Sequence, residues 1–150
     1  MKNTVNVIRM QREHLSGAAL LERLCFSEPW SETALELLLR DGEAVGFVCE
    51  RDGAVLAYGG MLLAPFEGQI LNIAVHPDAR RQGLGEAILS ALVQEAQSRA
   101  LEAVVLEVRV SNTGAIALYE KSGFAHLGTR KSFYRNPVED ALVMGRKLSV

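Results

Sequence analysis

A chain of 150 residues in which 49% are apolar can bury one sizeable core. Its formal net charge of −2, mixed in sign, argues against a nucleic-acid binder, which carries a basic excess, and no apolar run is long enough to span a bilayer. Met1-Lys2-Asn3-Thr4 does not open a signal-peptide core, and Cys25 and Cys49 lack metal-ligand spacing, so both read as reduced, buried thiols of a cytoplasmic protein.

Val5 to Met10 alternates and predicts a first strand. Glu13 to Phe26 predicts a helix, broken by Ser27-Glu28-Pro29-Trp30. Ser31 is placed to cap a second helix running through Arg40, which Asp41-Gly42 ends. Two strands follow, Ala44 to Arg51 and Ala54 to Ala64, joined by the hairpin signal Asp52-Gly53. Pro65 to Gly68 turns the chain into a strand from Gln69 to Val75. After a loop, His76 to Gln82, the residues Leu84, Ala87, Ile88, Ala91 and Leu92 mark one buried face of a long helix. Ala103 to Val110 is β-rich, Asn112 can cap a helix to Ser122, and Gly123 suits its left-handed stop. Strands Ala125 to Tyr134 and Asp140 to Leu148 complete the order βααβββαβαββ. Early meander strands and later βα units imply a mixed sheet with helices on its faces. With no repeat, linker or low-complexity stretch, residues 1–150 read as one domain.

The loop His76-Pro77-Asp78-Ala79-Arg80-Arg81-Gln82-Gly83-Leu84-Gly85 lies between a strand and a helix start. Free amides and the positive end of the helix dipole make an anion site there, and glycines let a pyrophosphate approach the backbone. Arg80 and Arg81 add positive charge. The alternative is a glycine-containing loop with solvated arginines. A Walker loop needs Gly-Lys-Ser/Thr, whereas Glu86 follows Gly85, and the three glycines of a dinucleotide fold are absent.

On Arg80-x-x-Gly83-x-Gly85 the chain resembles the GNAT superfamily of N-acetyltransferases, over nearly its whole length. Within it the chain is most similar to the RimI-type ribosomal-protein-alanine N-acetyltransferases. The residues behind this are Glu28-Pro29-Trp30-Ser31-Glu32, Asn72-Ile73-Ala74-Val75, Leu106-Glu107-Val108-Arg109, Ser111-Asn112, Ala115 to Glu120 and Gly123-Phe124. The resemblance implies an α/β (α+β) single-domain GNAT fold. Its central sheet is mixed, mostly antiparallel and splayed at the cofactor strand, with helices on both faces. It implies acetyl-CoA as co-substrate and no metal. The pantetheine arm would bond to the backbone of Ile73, Ala74 and Val75. The pyrophosphate would sit on amides of Arg81, Gln82, Gly83, Leu84, Gly85 and Glu86. Asn112 would face the cofactor, in competition with its role as a helix cap.

Amine acetylation needs a base for the attacking amine and an acid for the departing thiolate. Glu107 is the carboxylate within an apolar strand, on one face with Val105 and Arg109. It reads either as a solvated partner of Arg109 or, by the resemblance, as the base, directly or through a water. Tyr119 faces inward with Ala115 and Ile116, either as a core tyrosine or, by the resemblance, as the acid that protonates the coenzyme A sulfur. His14, His76 and His126 have no partner spacing, and Tyr58 and Met61 read as structural.

Two loops with aromatic and acidic residues suit an extended basic peptide. Glu28 and Trp30 belong to Phe26 to Glu32; Tyr134 and Glu139 belong to Phe133 to Asp140. Trp30 reads equally as a hydrophobic plug. The expected activity is acetyl transfer to the N-terminal alanine of a basic small-subunit ribosomal protein, with neither direct nucleic-acid contact nor a membrane. The rivals are a GNAT enzyme acting on a lysine or small-molecule amine, and a coenzyme A-binding module without catalysis.

Overall fold

The computed structural model describes residues 6–148; the readings on Met1 to Val5 lie outside them. The strands are β1 (Asn6–Arg9), β2 (Ala44–Arg51), β3 (Ala54–Leu63), β4 (Glu67–Val75), β5 (Ala103–Arg109), β6 (Ala125–Tyr134) and β7 (Glu139–Lys147). The helices are α1 (Leu15–Cys25), α2 (Glu32–Leu35), α3 (Leu84–Ser98) and α4 (Thr113–Lys121). Two differences from expectation have local causes. The second helix is a single α turn followed by a 3-10 turn, Glu36–Leu39. The tighter winding stacks Leu35 and Leu38, three residues apart and both buried, on one line toward the core. Strand β4 starts at Glu67, because Ala64 N–H donates to the Glu67 carbonyl at 2.9 Å and closes the turn around Pro65 early.

The seven strands form one sheet in the order β1-β2-β3-β4-β5-β7-β6. All neighbours are antiparallel except β4 and β5. On one face, α1, α2 and the 3-10 turn after it bury Leu15, Ala18, Leu21, Leu35 and Leu38 against Val48, Tyr58 and Ala74. On the other, α3 buries Ile88, Leu89 and Leu92 against Val45, Ala57 and Met61, and Tyr119 of α4 joins that cluster.

The close seating of α3 depends on Gly59, where an added Cβ would collide with Ile88 Cγ2. Gly59→Ala is therefore expected to destabilise the protein by about 1–3 kcal/mol through overpacking. Chemical denaturation should show a lowered midpoint; an unchanged one would mean that α3 moves away freely.

Parallel pairing of β4 with β5 runs only from Glu67↔Ala103 to Ile70↔Leu106. A register shift at Gly60/Met61 leaves Leu71 as an extra residue in β4. Beyond it, Asn72 to Val75 stay paired with β3, while Glu107 to Arg109 stay paired with β7. The sheet is splayed open between the C-terminal halves of β4 and β5.

Candidate active site

The gap opens into a cavity of about 680 Å³. Ile70 to Ile73 and Leu106 to Arg109 form its two strand walls, with Asn112, Ala115 and Tyr119 of the α4 region beside them. Phe26 to Glu28, Trp30, Phe133, Tyr134 and Glu139 line it from the two loops.

The phosphate-site candidate lies at the start of α3, a 15-residue helix. Its N-cap, Gly83, is left-handed (φ 77°) and supplies no side-chain cap, so the first-turn amides remain available to an anion. A Cβ on Gly83 would meet nothing within 4 Å, so the space over the turn is open. Arg81 is also left-handed (φ 65°). Arg80 is engaged at the end of β4. Its Nε donates to the Val75 carbonyl at 3.4 Å and its Nη2 reaches Cys25 Sγ at 3.6 Å. The edge of β4 at Ile73, Ala74 and Val75 is free of β5, as an extended pantetheine arm requires, although the Val75 carbonyl also receives the Cys25 thiol at 3.4 Å. These features fit a pyrophosphate with an extended arm. Asn112 is engaged as the cap of α4, accepting from Ala115 N–H at 3.2 Å through Oδ1. Its amide nitrogen is the part left to face a cofactor.

Glu107 and Tyr119 line the same cavity from β5 and α4. Glu107 is a third exposed and pairs across the sheet with Arg130 Nε of β6 at 2.9 Å, not with Arg109. Tyr119 is buried and tilted against Phe124, with ring centroids 5.8 Å apart. Burial, and then the neighbouring Tyr134, push its hydroxyl well above the ordinary tyrosine range. It therefore holds its proton throughout the neutral range. The Tyr134 hydroxyl is pushed up to about 12, by burial first and the Glu107 charge second.

Arg109 draws the two loops together. Its Nη1 donates to the Pro137 carbonyl at 3.0 Å and to Glu139 at 3.1 Å; its Nη2 donates to the Arg135 carbonyl at 2.6 Å and Ser27 Oγ at 3.3 Å. The guanidinium lies 4.5 Å over the Tyr134 ring and 3.8 Å from Glu28. Glu28 also accepts from Arg135 N–H at 2.7 Å, and Glu139 from Ser111 N–H at 2.7 Å. The Ser111 bonds, with Arg109, hold the Glu139 carboxyl below its usual range. Glu28 and Glu139 are thus at the cavity as expected, but their charge is already engaged inside the protein. Trp30 packs against the α1 cluster, as a hydrophobic plug does, and also lines the cavity.

Residues 16–124 match the model of the acetyltransferase (GNAT) family. The chain belongs to the GNAT family. This acetyltransferase is 34% identical to the [ribosomal protein bS18]-alanine N-acetyltransferase of Escherichia coli (strain K12), over 99% of each chain. A crystal structure of the ribosomal-protein-S18-alanine N-acetyltransferase from Escherichia coli superposes with a TM-score of 0.88 at 32% identity, covering 98% of this chain and 96% of that one. The NatC complex bound to Gag peptide and CoA contains a chain of the same fold, with a TM-score of 0.86 at 21% identity over 98% and 100% of the two chains. The protein is an acetyl-CoA-dependent N-acetyltransferase.

Three features of the acetyltransferase escaped sequence reasoning. Arg51, at the end of β2, donates to Gln82 of the glycine loop at 3.4 Å, and its buried Nε has no protein partner among the described residues. Glu22 of α1 is fully buried beside the cavity; its spacing of four residues from Ala18 and seven from Leu15 is the one signal that could have marked it as inward-facing. Cys25 is half-buried and lines the cavity, so the reading of two buried thiols holds for Cys49 alone. The Cys49 thiol is pushed up to about 11 by burial.

Proposed function

We propose that this enzyme acetylates the N-terminal α-amine of an alanine on a basic ribosomal protein by direct transfer from acetyl-CoA. The observation that carries the reading is the single cavity in which the open edge of β4, Glu107, Tyr119 and both flanking loops meet. The thioester end would lie along β4, with the pyrophosphate on the first amides of α3. The amine would enter between the loops. Glu107, directly or through a water, takes the amine proton as the nitrogen attacks the thioester carbonyl. The N–C bond forms, the C–S bond breaks, and Tyr119 gives its proton to the sulfur. Direct transfer needs no acyl-enzyme.

The proton balance favours an α-amine. Its unperturbed pKa is ~7.7–8.0 against ~10.4 for lysine, so at neutral pH roughly a tenth of α-amines are neutral but only about one lysine in a few thousand. A single carboxylate suffices for the first and is a poor base for the second. Because Glu28 and Glu139 are paired with Arg109, loop shape rather than net charge is left to choose the acceptor. A peptide starting with alanine should outcompete the same peptide with a blocked N-terminus and an internal lysine. Faster acetylation of the lysine peptide, or of spermidine, would overturn the acceptor assignment and leave the fold and family standing.

A further inference from the structure

Glu22 is a carboxyl group at 0% exposure in the apolar cluster between α1 and the sheet. Its three hydrogen-bond partners are neutral donors on three different elements. Oε1 accepts the Trp30 backbone N–H at 2.8 Å. Oε2 accepts the Asn72 side-chain amide at 2.9 Å and the Tyr58 hydroxyl. A carboxyl removed from water gains little stability even when well bonded, and an apolar side chain of similar volume would serve the core as well or better. The best-attested use of such buried polar groups is to fix one arrangement among several. The partners indicate which arrangement is fixed. Asn72 follows the extra residue Leu71, where β4 parts from β5. Trp30 belongs to the loop that forms one wall of the cavity. Both line the cavity, and Glu22 stands behind them.

We infer that Glu22 is a positioning residue for the acceptor: one carboxyl group holds the Trp30 backbone and the Asn72 side chain in register, and so sets the loop wall against the open edge of β4. The cofactor side does not depend on it. Ile73 to Val75 are held by pairing with β3, and the anion site is built by the turn at Gly83 and the start of α3. Loss of the carboxyl should therefore weaken acceptor binding selectively. This inference rests on the proposed acceptor side of the cavity.

Steady-state kinetics on the full chain test it, with acetyl-CoA and a peptide beginning with alanine. Glu22→Leu keeps the volume and removes both acceptor oxygens, so the Trp30 N–H and the Asn72 amide lose their shared partner. The acceptor KM should rise roughly tenfold or more, as expected for a buried donor left unpaired. The KM for acetyl-CoA should stay within about twofold, a split that general loosening of the core does not produce. Tyr58→Phe removes one donor and leaves the Trp30 and Asn72 bonds; it should lower the Tm while leaving the acceptor KM within about twofold. If Glu22→Leu does not fold, Glu22→Asp, which retracts both oxygens by a methylene, should give the same selective rise. An unchanged acceptor KM in the folded Glu22 variant, or equal rises for both substrates, overturns the inference alone. A wild-type enzyme that leaves the peptide unmodified overturns the acceptor assignment and the inference with it.

Discussion

Tyr119→Phe and Glu107→Gln are each expected to lower kcat by ~10²–10⁴-fold, the usual worth of a positioned acid or base, or ~3–5 kcal/mol of barrier. The two variants should differ in their pH dependence. Burial and Tyr134 raise the Tyr119 hydroxyl above the ordinary tyrosine range, so the acid form persists through the neutral and mildly alkaline range. Tyr119 should therefore add no alkaline fall to the kcat profile, and Tyr119→Phe should lower the profile without changing its shape. Glu107 is the group whose loss should steepen the rise of rate with pH, because the amine must then deprotonate unaided. The Arg130 pair does not stand against its role. An ion pair this exposed is worth about 0–1 kcal/mol, so the carboxylate can exchange Arg130 for an incoming ammonium at small cost. The measurement is kcat against pH for both variants, with coenzyme A affinity as control. A loss below about threefold in both would remove them from the chemistry. A drop in Tm with normal kcat would leave Tyr119 as a core residue against Phe124.

Gly83→Val should abolish most of the thermal stabilisation by acetyl-CoA. A ligand at about 100 times its Kd stabilises the folded state by ~2.7 kcal/mol, or roughly 5–10 °C in a chain of this size. Two effects of valine act together. At φ 77° a β-branched residue is strained, so the turn shifts and the first amides of α3 lose their alignment. The new methyls also fill the open space over those amides, from which the anion would approach. The apo protein loses nothing by contact, since the added Cβ has no neighbour within 4 Å. Differential scanning fluorimetry with and without acetyl-CoA therefore separates the two states: a modest drop in apo Tm and a lost shift. A full shift in folded Gly83→Val protein would place the pyrophosphate elsewhere.

Much of this site is carried by local sequence. The glycine turn before an amphipathic helix, the alternation that puts Glu107 and Arg109 on one face of β5, and the 3.6-residue period that turns Tyr119 inward each depend only on near neighbours. Backbone geometry repeats at short range, so these features were legible from the residues themselves. What the residues alone could not decide were the pairings between distant segments. The last strand, β7, inserts between β5 and β6, which puts Arg130 rather than Arg109 beside Glu107. Arg109 gathers Ser27, Glu28 and residues 135–139 from both ends of the chain, and so engages carboxylates expected to be free for a peptide. Glu22 meets Trp30, Tyr58 and Asn72 across separations of 8, 36 and 50 residues. A charged side chain has no preferred partner in a linear pattern. Its partner is chosen when burial removes water and leaves only the donors that the fold brings within reach.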